Sequence, residues 1–304
     1  MADRIEGLIA APFTPMDGNG CINPDGIEAY AALLSRNGVR GVFVGGTTGE
    51  SLLLTAEERM MLTEFWTDVA PEGLRVIVHA GAESLDDAEM LAGHAASSGA
   101  WGVGAMPPTF FRPGGADLVA WCAAVAAAAP DLPFYYYHIP GMTGVAVPMA
   151  DFLPAAAERI PNLAGVKYTH EDLSDFGLAM DACGDRLDVL YGRDESFLAG
   201  LALGARGAVG STYNFAAPLY VRLMEAFDAG DIDRARDLQR TSRQMVRTLR
   251  SITGDFLPAA KAVMAMVGQD CGPVRPPLAT LTPSNVEAVR EGLDRLGFEE
   301  FRNR

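Results

Sequence analysis

The 304-residue chain carries 39 acidic against 24 basic side chains, a formal charge of −15, which leaves no basic face for a polyanion such as nucleic acid. Although 49% of the residues are hydrophobic, no apolar run approaches the ~20 residues of a membrane span. The opening MADRIEGLIAAPFTP lacks the basic and long apolar regions of a secretory leader, so a soluble, cytoplasmic protein is expected.

Short apolar runs recur along the chain, each followed by a longer helical stretch. Strands are predicted over 7–13, 41–46, 75–81, 101–106, 133–139, 163–168, 187–192 and 206–211. Between them lie helix-patterned segments such as IEAYAALLSRNG, TAEERMMLTEFWTDV, DDAEMLAGHAASSG and ADLVAWCAAVAAAA. Thr55 and Glu58 form a capping-box pattern, and Gly38, Gly99 and Gly184 stand where helices should stop. Continuous apolar runs, rather than alternation, indicate strands buried on both faces, as in a parallel sheet. Eight such β-then-α units close a (β/α)8 TIM barrel, whereas a doubly wound sheet more often stops at five or six. After residue 217 the pattern is helical only. The stretch from Pro218 is expected to be the eighth barrel helix. Residues 1–230 are read as the barrel and 231–304 as a C-terminal helical extension packed on it, the two forming one structural unit.

Catalytic groups of such barrels sit at the C-terminal ends of the strands. Those ends carry Thr14, Thr47, Thr48, Pro107, Tyr137, Lys167, Asp194, Glu195 and Ser211. The chain has only two lysines, Lys167 and Lys261; every other basic side chain is arginine. Arginine replaces lysine as a solvated charge, but it cannot supply a neutral amine. Lys167 follows Val166 at the end of the sixth strand, where burial should lower its pKa. The neutral amine attacks a ketone, and the resulting iminium draws electrons from the neighbouring carbon. Lys261 falls inside the helical FLPAAKAVMAM and is expected to be structural or on the surface.

Tyr137 ends the fifth strand, next to the sixth, where a phenol could move a proton beside an iminium. Because residues 135–137 are all tyrosine, packing explains Tyr137 equally well. GGTTGES (45–51) offers glycines, two hydroxyls and free N–H groups suited to a carboxylate or phosphate. Asp194 and Glu195, adjacent on an extended segment, should point apart, and binding of polyol hydroxyls suits them better than a shared-proton dyad. His79, His94, His138 and His170 show no metal-ligand spacing, so no metal is expected. Cys21, Cys122, Cys183 and Cys271 form no CxxC pair and are expected to be idle thiols.

At these residues the chain resembles the dihydrodipicolinate synthase/N-acetylneuraminate lyase family of class I aldolases, in order and spacing from about residue 5 to at least 270. GGTTGE looks like the family's pyruvate-carboxylate loop. Tyr137 in YYYHIPGMTG and Lys167 in GVKYT look like its catalytic tyrosine and Schiff-base lysine. YGRDE (191–195) and GSTYN (210–214) are similar to the lyase branch, and Pro140-Gly141-Met142 lacks the arginine that synthases carry two residues after this proline.

The resemblance implies reversible cleavage of N-acetylneuraminate to pyruvate and N-acetylmannosamine, without cofactor, through an iminium at Lys167. It implies that Thr47 and Thr48 hold the carboxylate, that Thr169, Gly192, Asp194, Glu195 and Ser211 contact the sugar-derived chain, and that the protein is a homotetramer. Another 2-keto-3-deoxy sugar acid, the synthase reaction and a non-catalytic keto-acid-binding barrel are the alternatives. Many family members place a tyrosine on the loop after the fourth strand, reaching into a neighbouring subunit; PPTFFRP here has Phe110 and Phe111 instead.

Overall fold

The structure, a computed structural model, describes residues 4–184 and 186–304. Eight parallel strands close a barrel in sequence order, with the first paired to the last. They are β1 (Gly7–Ala10), β2 (Val39–Val44), β3 (Arg75–His79), β4 (Gly102–Ala105), β5 (Phe134–His138), β6 (Leu163–Tyr168), β7 (Asp188–Tyr191) and β8 (Gly207–Gly210). Several are shorter than the apolar runs that announce them, because the chain leaves the ladder at the mouth while still buried: Ala11 and Phe13 lie beyond β1 yet are 3% and 0% exposed.

The helices that follow the strands are α1 (Ile27–Arg36), α2 (Ala56–Val69), α3 (Leu85–Ser97), α4 (Gly115–Ala127), a one-turn α5 (Pro140–Thr143) with α6 (Met149–Arg159), α7 (Leu173–Cys183), α8 (Phe197–Ala202) and α9 (Tyr213–Asp228). Local chemistry sets their ends. Thr55 and Glu58 make the predicted capping box of α2, Ser84 caps α3, and the Asp172 carboxylate accepts from the backbone N–H groups of Ser174 and Asp175 at the start of α7. Each satisfies donors that a helix start leaves orphaned.

Period-two alternation decides what enters the barrel. Phe134 and Tyr136 of β5 face the helices, while Tyr135 and Tyr137 face inward. Val166 and Tyr168 of β6 pack outward, so Lys167 points in. Ile9, Phe43, Ile77, Tyr135, Leu190 and Val209 fill the interior beneath it. A Cβ on Gly104 would stand 2.5 Å from the Phe43 ring; the missing side chain is the space that Phe43 occupies.

The eighth barrel helix differs from expectation. α9 begins at Tyr213, five residues before Pro218, and kinks at Ala216 (φ −139°, ψ 30°). Pro218 has no N–H to give the Asn214 carbonyl. Asn303, from the far end of the chain, repairs the break: its Nδ2 donates to Tyr213 O and Asn214 O, both at 3.0 Å, and its Oδ1 accepts from Ala217 N at 2.8 Å. The extension follows as α10 (Ile232–Thr253), α11 (Phe256–Met266) and α12 (Pro283–Asp294), with α10 packed along α9.

Candidate active site

A cavity of about 560 Å³ opens at the C-terminal mouth of the barrel, within the range of small-molecule sites. At its base the register sets Tyr137 of β5 directly across from Lys167 of β6. The Lys167 Nζ lies 3.8 Å from the centroid of the Tyr137 ring and 4.2 Å from that of Phe43. Lys167 is buried, and among the described residues no carboxylate pairs with it.

Burial pulls the amine down to about 7, with the charge of Asp194 opposing. Near pH 7 a substantial fraction of the molecules therefore carries a neutral amine here, against roughly one in three thousand for a lysine of ordinary pKa.

Burial pushes the Tyr137 phenol up to about 12, opposed by the hydroxyls of Thr47 and Thr169, so the resting group is protonated. Its oxygen lies 3.2 Å from Thr47 Oγ1. Phe43 and His79 meet the ring edge-on at 5.5 and 5.9 Å and fix its plane. Of the three consecutive tyrosines only Tyr137 lines the cavity; Tyr135 donates from the barrel floor to Asp188 Oδ2 at 2.9 Å.

Thr47 and Thr48 reach the cavity from the turn after β2. Thr48 Oγ1 lies 2.6 Å from Ser211 Oγ, beyond β8, which ties the turn after β2 across the end of β1 to that of β8. Thr169 and Gly192 sit side by side past β6 and β7, and the Gly192 N–H donates to Tyr168 O at 2.8 Å. A Cβ at 192 would fall 2.1 Å from Thr169 Oγ1, so this position requires glycine. The Thr169 hydroxyl is buried near the Tyr137 phenol, makes no well-formed hydrogen bond and borders the cavity, which suits a substrate oxygen.

Asp194 and Glu195 do point apart. Asp194 is buried, and its Oδ2 accepts from Thr212 N at 2.8 Å and Thr212 Oγ1 at 2.7 Å. Its carboxyl is raised to about 6, burial outweighing those bonds. Glu195 is partly exposed and lies between Arg193 Nη2 at 3.0 Å and Arg250 Nη2 at 3.9 Å.

The nine residues singled out from the sequence as catalytic or substrate-binding thus line one cavity. Two strand-end residues do not. Thr14 gives its hydroxyl to Gly49 O at 2.6 Å, supporting the turn from behind, and Pro107 is buried away from the cavity.

Sequence reasoning missed the outer wall, where Val246 and Arg250 of α10, Phe256 and Leu257 of α11, and Leu278 close over the mouth. A helical stripe that covers a site carries the same period as one that covers a core, so only topology distinguishes them. Among the described residues no group of three or more His, Cys, Asp or Glu could hold a metal ion.

A buried amine and a facing phenol at the mouth of a barrel suit an enzyme that attacks carbonyls. Residues 4–296 match the model of the Dihydrodipicolinate synthetase family, and the chain belongs to that family. It is 40% identical over 292 residues to the N-acetylneuraminate lyase of Danio rerio, covering 95% of each chain. It is 42% identical over 286 residues to that of Xenopus tropicalis, covering 93% of each. Among solved structures, the Proteus mirabilis N-acetylneuraminate lyase superposes with a TM-score of 0.93 at 38% identity, covering 97% of this chain and 100% of that one.

Proposed function

We propose that this chain cleaves N-acetylneuraminate reversibly to pyruvate and N-acetylmannosamine. The observation that carries the reading is the buried Lys167 amine facing Tyr137 at the base of a cavity whose walls offer hydroxyls, in a chain about 40% identical to lyases of that substrate.

The neutral amine of Lys167 attacks C2 of the open-chain keto acid. As the carbinolamine loses its hydroxyl, Tyr137 gives up its proton and water leaves. The tyrosinate then stands beside the iminium cation, which stabilises it. It takes the proton of the C4 hydroxyl while the C3–C4 electron pair flows into the iminium, which releases the aldehyde and leaves an enamine. Tyr137 returns the proton to C3, and water hydrolyses the pyruvate iminium to free Lys167.

Thr47, 3.2 Å from the Tyr137 oxygen, holds the phenol towards the substrate during these transfers. Phe110 and Phe111 cannot relay a proton as a loop tyrosine would, so water, Thr47 or the substrate's own carboxylate serves in its place. Thr47 and Thr48 hold the carboxylate, and Thr169, Gly192, Asp194, Glu195 and Ser211 contact the sugar-derived chain. Asp194 does so with only part of its carboxylate, since Oδ2 is committed to Thr212.

Incubation with N-acetylneuraminate should release pyruvate in amounts equal to the N-acetylmannosamine formed. An inert N-acetylneuraminate with turnover of another keto-deoxy sugar acid would refute the substrate while leaving the lysine chemistry in place. No described helix is long and apolar enough to cross a membrane, and a cytoplasmic location accords with the rest of the reading.

The barrel and residues 231–304 act as one structural unit, supported by the contacts of Asn303 and of Lys261 with the barrel. The protein works as a homo-oligomer, a tetramer by family. Phe110 and Phe111 support this: they stand 81% and 83% exposed on a loop that the Glu83 carboxylate fastens through the backbone N–H groups of Thr109 and Phe110. Light scattering that returned the mass of a single chain would refute it.

A further inference from the structure

The second lysine is also buried beside the site. Lys261 of α11 donates to Glu50 Oε1 at 2.8 Å, and the two side chains are 1% and 0% exposed. Its other recorded hydrogen bond goes to Pro273 O at 2.6 Å. The second carboxylate oxygen, Glu50 Oε2, accepts from Arg275 N at 2.8 Å. Lys261 is thus sealed beneath Glu50, outside the cavity, and cannot serve as the nucleophile.

Glu50 ends the GGTTGE turn, and its backbone holds φ 61° and ψ 31°. It is the one non-glycine residue with positive φ among those described. A residue with a side chain adopts this conformation only where its surroundings impose it. What imposes it here is the pair of bonds from the C-terminal extension. The turn's internal bonds complete the geometry, Glu50 N to Thr47 O at 3.0 Å and Ser51 N to Gly46 O at 3.3 Å. Thr47 and Thr48 stand three and two residues before this anchor and present their hydroxyls to Tyr137 and Ser211.

Resting on the keto-acid reading above, we propose that Lys261 is a positioning residue for substrate. Through Glu50 it holds the 45–50 turn in the conformation that presents Thr47, Thr48 and the turn's N–H groups to the substrate carboxylate. A buried ion pair adds little net stability compared with an apolar pair of similar volume, and its better attested use is to specify one geometry. The same view explains why a chain that uses arginine everywhere else keeps lysine here. A compact ammonium fits between Glu50 Oε1 and Pro273 O, whereas a planar guanidinium would displace the carboxylate it is meant to hold.

The test compares wild type, K261M, E50Q, the K261M/E50Q double variant and K261R. It reads the thermal midpoint, and the pyruvate concentration that half-saturates borohydride trapping at Lys167. K261M alone strands a buried carboxylate and should lower the midpoint, whereas the neutral double variant should regain most of it. In the double variant and in K261R, half-saturating pyruvate should stay raised about tenfold, the worth of one charge-assisted hydrogen bond. The trapping rate at saturation should change by less than about threefold, because Lys167 and Tyr137 are untouched. Half-saturation that returned to the wild-type value along with the midpoint, or that was unchanged in a folded K261R, would overturn the proposal and leave only a stability role. Absence of any wild-type adduct at Lys167 would overturn the keto-acid reading itself, and this inference with it.

Discussion

Replacing Asp194 with asparagine removes a carboxylate charge that favours the Lys167 ammonium, while the amide oxygen can still accept from Thr212 N and Oγ1. With the amine at about 7, kcat/KM of the wild type should be about half its plateau at pH 7. A single uncoupled titration would take it to about a tenth at pH 6 and about a hundredth at pH 5. On the alkaline side the profile stays flat, because Tyr137 holds its proton up to about 12. Asp194 titrates at about 6, so its charge fades in the same window and each protonation makes the other harder. The wild-type limb should therefore be shallower than a single titration. In the D194N variant the charge is absent at every pH, so the limb should move to lower pH and steepen to one proton. A displacement of half a pH unit changes the rate at pH 6, relative to plateau, by about threefold. The assay is the initial rate of borohydride trapping with subsaturating pyruvate from pH 5 to 9, with the adduct located on Lys167 by peptide mass. A wild-type limb centred near 9 or above would show that burial does not depress the amine. A limb that moved to higher pH in D194N would refute the assigned coupling.

Three further outcomes follow from the same geometry. The Y137F variant should lose about 10²–10⁴ in kcat for sugar-acid cleavage yet still yield a trapped pyruvate adduct at Lys167; near-normal turnover would return Tyr137 to a packing role. The K167M variant should be inactive but more stable. The folded lysine sits at about 7 against an ordinary value of 10.5, so between those values the unfolded chain binds a proton that the folded one lacks, and stability contributed by this group rises with pH. The gain on substitution should accordingly be largest below pH 7, about 1 kcal/mol or more at pH 6, and should shrink towards pH 10 in paired thermal melts. The N303A variant strands the Ala217 N–H and the Tyr213 and Asn214 carbonyls at the α9 kink. It should cost about 2–4 kcal/mol by urea unfolding, with pyruvate trapping at 25 °C retained; an unchanged midpoint would mean that water replaces the amide.

Position along a strand made Lys167 and Tyr137 legible, since parity and nearness to the C-terminal end together say which side chains look into a barrel mouth. Alternation also separates the three tyrosines once a single inward residue is known: Lys167 faces in, its register partner Tyr137 does too, and Tyr136 cannot. The GGTTGE turn was legible as a candidate anion site through its place at the end of β2, since Gly-Thr turns are common and the motif alone says little. The α9 kink was half legible. Pro218 announces a break, but the group that repairs it lies 85 residues away, and no periodicity encodes that meeting.

The two lysines show where such reading stops. Both answer to the same scarcity, that of a compact cation which arginine cannot imitate, yet the sequence supports a role only for the one at a strand end. Lys261 sits in an ordinary helical pattern and looks structural. Its partner Glu50 lies 211 positions away, at a residue whose backbone strain is invisible until φ is measured. Burial then acts on the two amines in the same direction, lowering both, and the partner decides the outcome. With no carboxylate to pair with it, Lys167 is left free to act as the proposed nucleophile; with Glu50 at 2.8 Å, Lys261 is held as an ion pair suited to the proposed anchoring role. Substituting each by methionine should therefore separate chemistry from positioning: loss of the adduct in one case, and a trapped adduct that needs more pyruvate in the other.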